Sequence, residues 1–346
     1  MKVLMIGLGS IGQRHLRNLV RKFGDDLEVI AYRVRGLQRT FSDEMKIRKD
    51  VELDYEFSIK VFSDLEEALL EKPKVAFITN ITKSHIPCAI ACAKAGCHLF
   101  LEKPVSDSLE GVDELLSLEK EKNIKIFVGY QNRFHPGIQT LKMILNQNEL
   151  GQILAVRSIV GERLTTMHTY EDYQDTYMAR KDMGGGVLLN QMVHELDYLY
   201  YLFGKPKSVY ALGGTDGNLD IDVEDNIEAI YKTEYLNREI ALSVHADFYQ
   251  SPPQRLVRVV GENGWVKVDL TKAKVTKVVH DVLEEISFEE FERNQMFEEE
   301  LNLFFECIMQ DQKPEITLEE GIVSLKMALA ARKSIRTKEV AHEFNF

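Results

Sequence analysis

The chain opens on an apolar run, Lys2-Val3-Leu4-Met5-Ile6. It passes without a break into Gly7-Leu8-Gly9-Ser10-Ile11-Gly12, then into a helix-periodic stretch with Leu16, Leu19, Val20 and Phe23. No other segment restricts the fold as strongly. A buried strand that enters a helix through three glycines in six residues is the start of a strand–helix–strand unit. Gly7 permits the tight turn, Gly9 lets backbone N–H groups approach an anion, and Gly12 lets the helix pack close on the strand. The helix N-terminus adds partial positive charge. Together they predict a dinucleotide whose pyrophosphate lies against Gly7, Gly9, Ser10, Ile11 and Gly12.

The next 120 residues keep that rhythm. Strand-like runs at 27–32, 60–62, 75–79, 98–101 and 125–128 alternate with helical patterns at 85–95 and 109–121. Ser63-Asp64-Leu65-Glu66 reads as a capping box opening another helix. Such alternation predicts a doubly wound parallel sheet with helices on both faces. After about residue 150 the pattern changes. Runs at 153–160, 208–212, 226–232, 239–248, 255–260, 264–269 and 274–279 are separated by turn signals, with few helices between them. That reads as one large antiparallel or mixed sheet, closed by helices at 296–309 and 318–334. The expected fold class is therefore α/β followed by α+β, with domains at 1–128 and 129–346.

Net charge narrows the partners. The 346 residues carry 43 Lys+Arg against 55 Asp+Glu, a net −12. That disfavours nucleic acid and anionic membrane surfaces, both of which require basic faces. The excess is local: residues 281–300 hold nine acids and one base, eight of the twelve net negative charges. We read that window as a solvated loop and helix face. No stretch approaches the ~18 apolar residues of a membrane span, and the first residues lack a signal-peptide pattern. The cytoplasm is the expected compartment. Cys88, Cys92 and Cys97 crowd one helix and its exit, and Cys307 is distant. With no Cys-x-x-Cys and no completing ligand cluster, they read as structural thiols and no metal site is expected.

At the end of the second strand, where an acid commonly binds the ribose of NAD(H), this chain has Arg33. Residues 31–40 contain Arg33, Arg35 and Arg39 and no acid. Guanidinium forks suit phosphate. The expectation is NADP(H) over NAD(H), with Arg33 and Arg35 near the 2′-phosphate.

The segment His98-Leu99-Phe100-Leu101-Glu102-Lys103-Pro104 runs a strand into Glu-Lys-Pro, at the strand end where doubly wound sheets place their sites. With the glycine loop, it resembles the Gfo/Idh/MocA oxidoreductase family. Thr79-Asn80 through Ser84-His85, Gly129-Tyr130-Gln131-Asn132-Arg133-Phe134-His135-Pro136, and Gly184-Gly185-Gly186 through Asn190, His194 and Asp197 match further blocks of that family. The resemblance implies an N-terminal Rossmann domain and a C-terminal open-faced sheet with helices on one face. It implies that Lys103 and His194 are catalytic, and that Thr79, Asn80, His85, Glu102 and Lys103 lie at the cofactor. Asn190 stands where the family usually has Asp; an amide can position an oxygen but cannot take a proton.

Arg133, and the loop carrying His168, Tyr173, Tyr177 and Arg180, complete the expected substrate contacts. The implied reaction is hydride transfer with a secondary alcohol or ketone of a sugar, amino sugar, nucleotide sugar or cyclitol. The implied assembly is a homodimer or homotetramer through the open face of the second sheet. Two other readings are a non-catalytic NADP-binding regulator, and an enzyme that recycles a tightly bound nicotinamide during elimination, epimerisation or glycoside cleavage. Retention of Lys103 and His194 argues against the regulator; Asn190 argues slightly for it.

Overall fold

The computed structural model describes residues 1–34, 39–42, 46–48 and 51–342. It divides into two compact units, Met1–Gly129 with Phe297–Gly321, and Tyr130–Met296 with Ile322–Phe346.

In the first unit the elements are β1 (Lys2–Ile6), α1 (Ser10–Phe23), β2 (Glu28–Tyr32), a β3–β4 hairpin (Thr40–Phe41, Ile47–Arg48), α2 (Leu53–Glu56), β5 (Lys60–Phe62) and α3 (Leu65–Leu70). Then come β6 (Val75–Ile78), α4 (His85–Lys94), β7 (His98–Glu102), α5 (Val112–Glu121) and β8 (Ile126–Gly129). Six strands pair in the order β5-β2-β1-β6-β7-β8, all parallel. The order reverses between β1 and β6, which puts the switch point of a doubly wound sheet beside the glycine loop. One local reading shifts: Asp64, not Ser63, caps α3, its carboxylate accepting from Glu67 N at 3.0 Å.

The register of β6, β7 and β8 aligns Phe77, Phe100 and Phe127. Their rings stack across the sheet at 5.0 and 5.6 Å, and Phe304 meets all three edge-on or tilted. Phe304 lies on α9 (Arg293–Met309), and this aromatic core explains why the returning chain joins the first unit. The chain therefore does not divide once, near residue 128, as its local pattern predicts.

In the second unit, α6 (Pro136–Asn146), β9 (Ile153–Gly161), α7 (Leu164–Met167) and α8 (Val193–Phe203) precede a run of strands. These are β10 (Pro206–Gly214), β11 (Asn226–Tyr235), β12 (Arg238–Asp247), β13 (Gln254–Gly261), β14 (Gly264–Asp269), β15 (Lys274–Val279) and β16 (Val282–Ser287). The eight-stranded order is β10-β11-β12-β9-β13-β14-β15-β16, antiparallel except for β12 on β9. One face is packed by α6, α8 and α10 (Leu318–Thr337): Ser158 bonds Tyr198 at 2.6 Å, and Tyr231 donates to Met327 O at 3.0 Å. The other face leaves Leu154, Leu212 and Ile230 each 55% exposed and sets the Arg258 guanidinium 4.4 Å over Trp265.

β16 corrects the reading of the acidic window. Residues 282–287 form an edge strand rather than a loop, with Glu284 and Glu285 paired to Lys277 and Lys274 of β15 at 3.2 and 2.8 Å. Charge on an edge strand blocks pairing with other chains, so the acids that hide the strand from a periodicity search are also what suits it to an edge.

One carboxylate in the first unit makes stability depend on pH. Burial, and the Glu319 charge beside it, push Glu119 up from its ordinary 4.5 to about 7. A raised folded value means stabilisation fully present below pH 4.5 and lost as pH rises through about 7. Glu119→Gln is expected to match the wild-type melting temperature near pH 5 and exceed it at pH 8. Differential scanning at both values checks this.

Candidate active site

The glycine loop is sterically closed on one side and open on the other. Gly7 has φ +87°, and a Cβ there would lie 2.8 Å from Asn80 Cα. A Cβ on Gly12 would lie 2.4 Å from Gly7 O and 2.6 Å from Thr79 Oγ1. Thr79 Oγ1 itself donates to Gly7 O at 2.6 Å, tying the end of β6 to the loop. A Cβ on Gly9, by contrast, would meet nothing within 4 Å. This chain's own packing therefore requires glycine at 7 and 12, but leaves the space over Gly9 clear.

The first turn of α1 has no side-chain cap and no acidic residue, so its amides and partial positive charge face that space. Asn80 Oδ1 is buried without a hydrogen-bond partner among the described residues. A clear cradle, uncapped amides and an orphaned carbonyl at adjoining strand ends fit a bound dinucleotide.

Lys103 follows β7 directly, half-buried, with a cis peptide to Pro104. Its backbone is held from both sides. Glu102 Oε2 accepts from Lys103 N at 3.1 Å, and Glu102 Oε1 meets His15 Nε2 at 2.7 Å. On the other side, His85 lies between two carbonyl oxygens, Nδ1 2.8 Å from Pro104 O and Nε2 3.2 Å from Asn80 O, and its neutral ring donates its single N–H to one of them. Burial holds His85 below the usual imidazole range, opposed by those two carbonyl bonds.

These contacts correct one expectation and qualify another. His85 and Glu102 are 2% and 5% exposed and are spent on the framework around Lys103, not on an open cofactor surface. Arg33 is also not an open fork: its side chain is 7% exposed and one terminal nitrogen meets Asp54 at 2.6 Å. Arg35 lies outside the described residues. Burial pushes the Cys97 thiol up to about 12, in keeping with a structural thiol.

In the second unit, Leu188–Met192 is a π-helical turn feeding α8. Such turns recur at functional sites. The turn carries Asn190, whose Nδ2 donates to Tyr177 Oη at 2.7 Å. His194, one turn on, is 5% exposed and edge-on to Tyr130 at 6.4 Å.

The remaining expected substrate contacts diverge. Tyr173 accepts from Asp220 N at 3.4 Å. His168 stacks on Tyr170 at 5.1 Å; burial lowers its pKa, with Glu171 opposing. Arg180 is paired through two nitrogens with its neighbour Asp182, in solvent. Arg133 is corrected outright. It is 3% exposed and makes a two-pronged pair with Asp197 at 2.8 and 2.7 Å, and Ser324 also donates to Asp197. A buried pair of this kind is a framework element, and removing one partner costs about 3–5 kcal/mol. The partner of Asp197 lies 64 positions away, beyond the reach of any local pattern.

Comparison with known proteins decides the family. Residues 1–130 match the profile described as oxidoreductase family, NAD-binding Rossmann fold, and residues 138–267 match the GFO/IDH/MocA C-terminal domain. The chain belongs to the Gfo/Idh/MocA oxidoreductase family. It is 26% identical to myo-inositol 2-dehydrogenase of Thermotoga maritima over 351 residues, covering 98% of this chain and 97% of that one. Among solved structures it shares its fold with the WlbA dehydrogenase of Bordetella pertussis in complex with NADH and UDP-GlcNAcA. There the TM-score is 0.78 and the identity 22%, covering 99% of this chain and 98% of that one. Levoglucosan dehydrogenase in complex with NADH gives a TM-score of 0.81 at 17% identity, again over 99% and 98%. No helix among the described residues is long and apolar enough to cross a membrane.

The two glycines separate packing from ligand binding. Gly12→Ala is expected to cost about 2 kcal/mol of stability, measured by urea unfolding, because the backbone it meets cannot give way. Gly9→Ala is expected to leave stability within about 0.5 kcal/mol while weakening NADH binding, measured by fluorescence titration.

Proposed function

We propose that this protein transfers hydride between a nicotinamide cofactor and a secondary alcohol or ketone of a cyclitol, sugar, amino sugar or nucleotide sugar. The observation that carries the reading is the alignment of three adjacent strand ends. β1 ends in the glycine loop, β6 in Thr79-Asn80 and β7 in Glu102-Lys103, side by side at the switch point of one sheet. The named activities of relatives, inositol and sugar dehydrogenation, support the substrate class.

The cofactor, when bound, supplies or accepts the hydride. Gly9 and the first amides of α1 would hold its pyrophosphate. The Lys103 ammonium hydrogen-bonds the reacting oxygen and shares its proton, which stabilises charge as the carbon changes oxidation state. His194 assists as acid or base, and Asn190 orients a substrate oxygen without taking a proton. Tyr177, Tyr173, His168 and Arg180 contribute contacts from the loop before the π-helical turn.

For cofactor choice the reading is NADP(H) over NAD(H), anchored by Arg33 in competition with Asp54. Arg33→Asp should weaken NADPH far more than NADH, and Asp54→Asn should strengthen NADPH; equal losses for both cofactors in Arg33→Asp would contradict this. The exposed face of the second sheet, with its aliphatic side chains and the Arg258–Trp265 stack, supports assembly as a homodimer or homotetramer. A monomer by light scattering at micromolar concentration would reject that assembly.

The catalytic reading is tested by nicotinamide absorbance across a panel of cyclitols, sugars and nucleotide sugars. Turnover is expected with one class. Lys103→Met should reduce it by roughly 100-fold or more; a variant within a few-fold of wild type would remove Lys103 from the chemistry.

A further inference from the structure

The side chain of His15 is fully buried, three residues past Gly12 on α1. Its ring sits among Phe100, Phe77 and Phe297 at centroid distances of 4.7, 5.6 and 5.9 Å. A phenylalanine would suit such a cage, because a polar ring loses its water there. Nδ1 has no hydrogen-bond partner among the described residues, so the cage does not exist to satisfy the imidazole. The polar group gains one thing, the 2.7 Å contact from Nε2 to Glu102 Oε1.

Glu102 is itself buried and divides its two oxygens. Oε1 meets His15, and Oε2 accepts the backbone N–H of Lys103 at 3.1 Å. The carboxylate thus connects the helix that begins at the glycine loop to the backbone of the residue that ends β7. Replacing a buried polar pair with apolar groups is often neutral or stabilising, so stability alone does not account for it.

We propose that His15 and Glu102 form a positioning pair that couples the glycine-loop helix to Lys103. Any shift of α1 as a dinucleotide settles on its N-terminus passes through the imidazole and the carboxylate to the Lys103 backbone, and so to the amine. Neither His15 nor Glu102 touches substrate; both act through Lys103. The proposal rests on the reading of Lys103 as the catalytic amine.

The test follows the Lys103 amine directly. The full-length protein is reductively methylated with ¹³C-formaldehyde, and the Lys103 signal is assigned by its absence in Lys103→Met. In wild type, NADH is expected to shift that signal. His15→Gln keeps a donor toward Glu102 and should keep the response. In His15→Phe and Glu102→Gln the response to NADH should be lost, and the titration midpoint of the signal should move by about half a pH unit or more. The dissociation constant for NADH should stay within about 3-fold of wild type. Turnover should fall roughly 10- to 100-fold through misplacement of the amine.

An unchanged Lys103 titration and an unchanged NADH response in His15→Phe would overturn the pairing. So would loss of NADH binding with the Lys103 signal intact, since His15 would then serve only the helix. Where His15→Phe does not fold, Glu102→Gln decides by the same criteria. The two readings fail separately: an unimpaired Lys103→Met enzyme contradicts the catalytic assignment, whereas an indifferent Lys103 signal contradicts only the coupling.

Discussion

The first unit depends on how closely α1 approaches the ends of β1 and β6. Gly12 lies against Gly7 O and Thr79 Oγ1 at a distance no side chain could occupy. That contact fixes the helix N-terminus over open space at Gly9 and aims its amides outward. It also fixes how deep His15, one turn on, reaches into the aromatic core. From His15 the chain of contacts runs to Glu102 and the backbone of Lys103. His85 holds the chain just beyond it through Pro104 O. The glycine loop and the Lys103 backbone are thus two ends of one packed assembly within a single sheet.

Charge is arranged so that the site is not a product of the net −12. Much of the acidity is displayed on β16 and the chain after it, the fully buried Glu300 excepted, and Lys274 and Lys277 answer part of it. Near the cofactor end Arg33 is met by Asp54, so the acid absent from residues 31–40 returns from α2. A carboxylate supplied from another element is invisible to a search for an acid at the end of the second strand. The guanidinium is thereby engaged within the first unit.

What could be read from the sequence was whatever depends on local pattern. The glycine loop, the alternation of the first 128 residues and seven strands of the second sheet were all legible. So was the break between an α/β and a largely antiparallel half, because hydrophobic periodicity and turn residues are near-neighbour signals. What escaped depends on partners far along the chain. Arg133 looked like a substrate contact until Asp197 took both arms of its fork. His85 and Glu102 looked like cofactor contacts until the carbonyls and imidazole they bind came into place. β16 was hidden because an edge strand can be charged on both faces. The return of α9 to the first unit followed from Phe304 meeting three stacked rings, a match no local window contains.

A crystal structure of the protein with NADH bound would show whether the glycine loop and Lys103 serve one ligand. The pyrophosphate is expected on the amides of residues 10–12 above Gly9, with Asn80 Oδ1 engaged. The reactive carbon of the nicotinamide is expected to face a space that Lys103 Nζ reaches within about 4 Å of the transferring centre. A pyrophosphate seated elsewhere, or a nicotinamide turned away from Lys103, would contradict it.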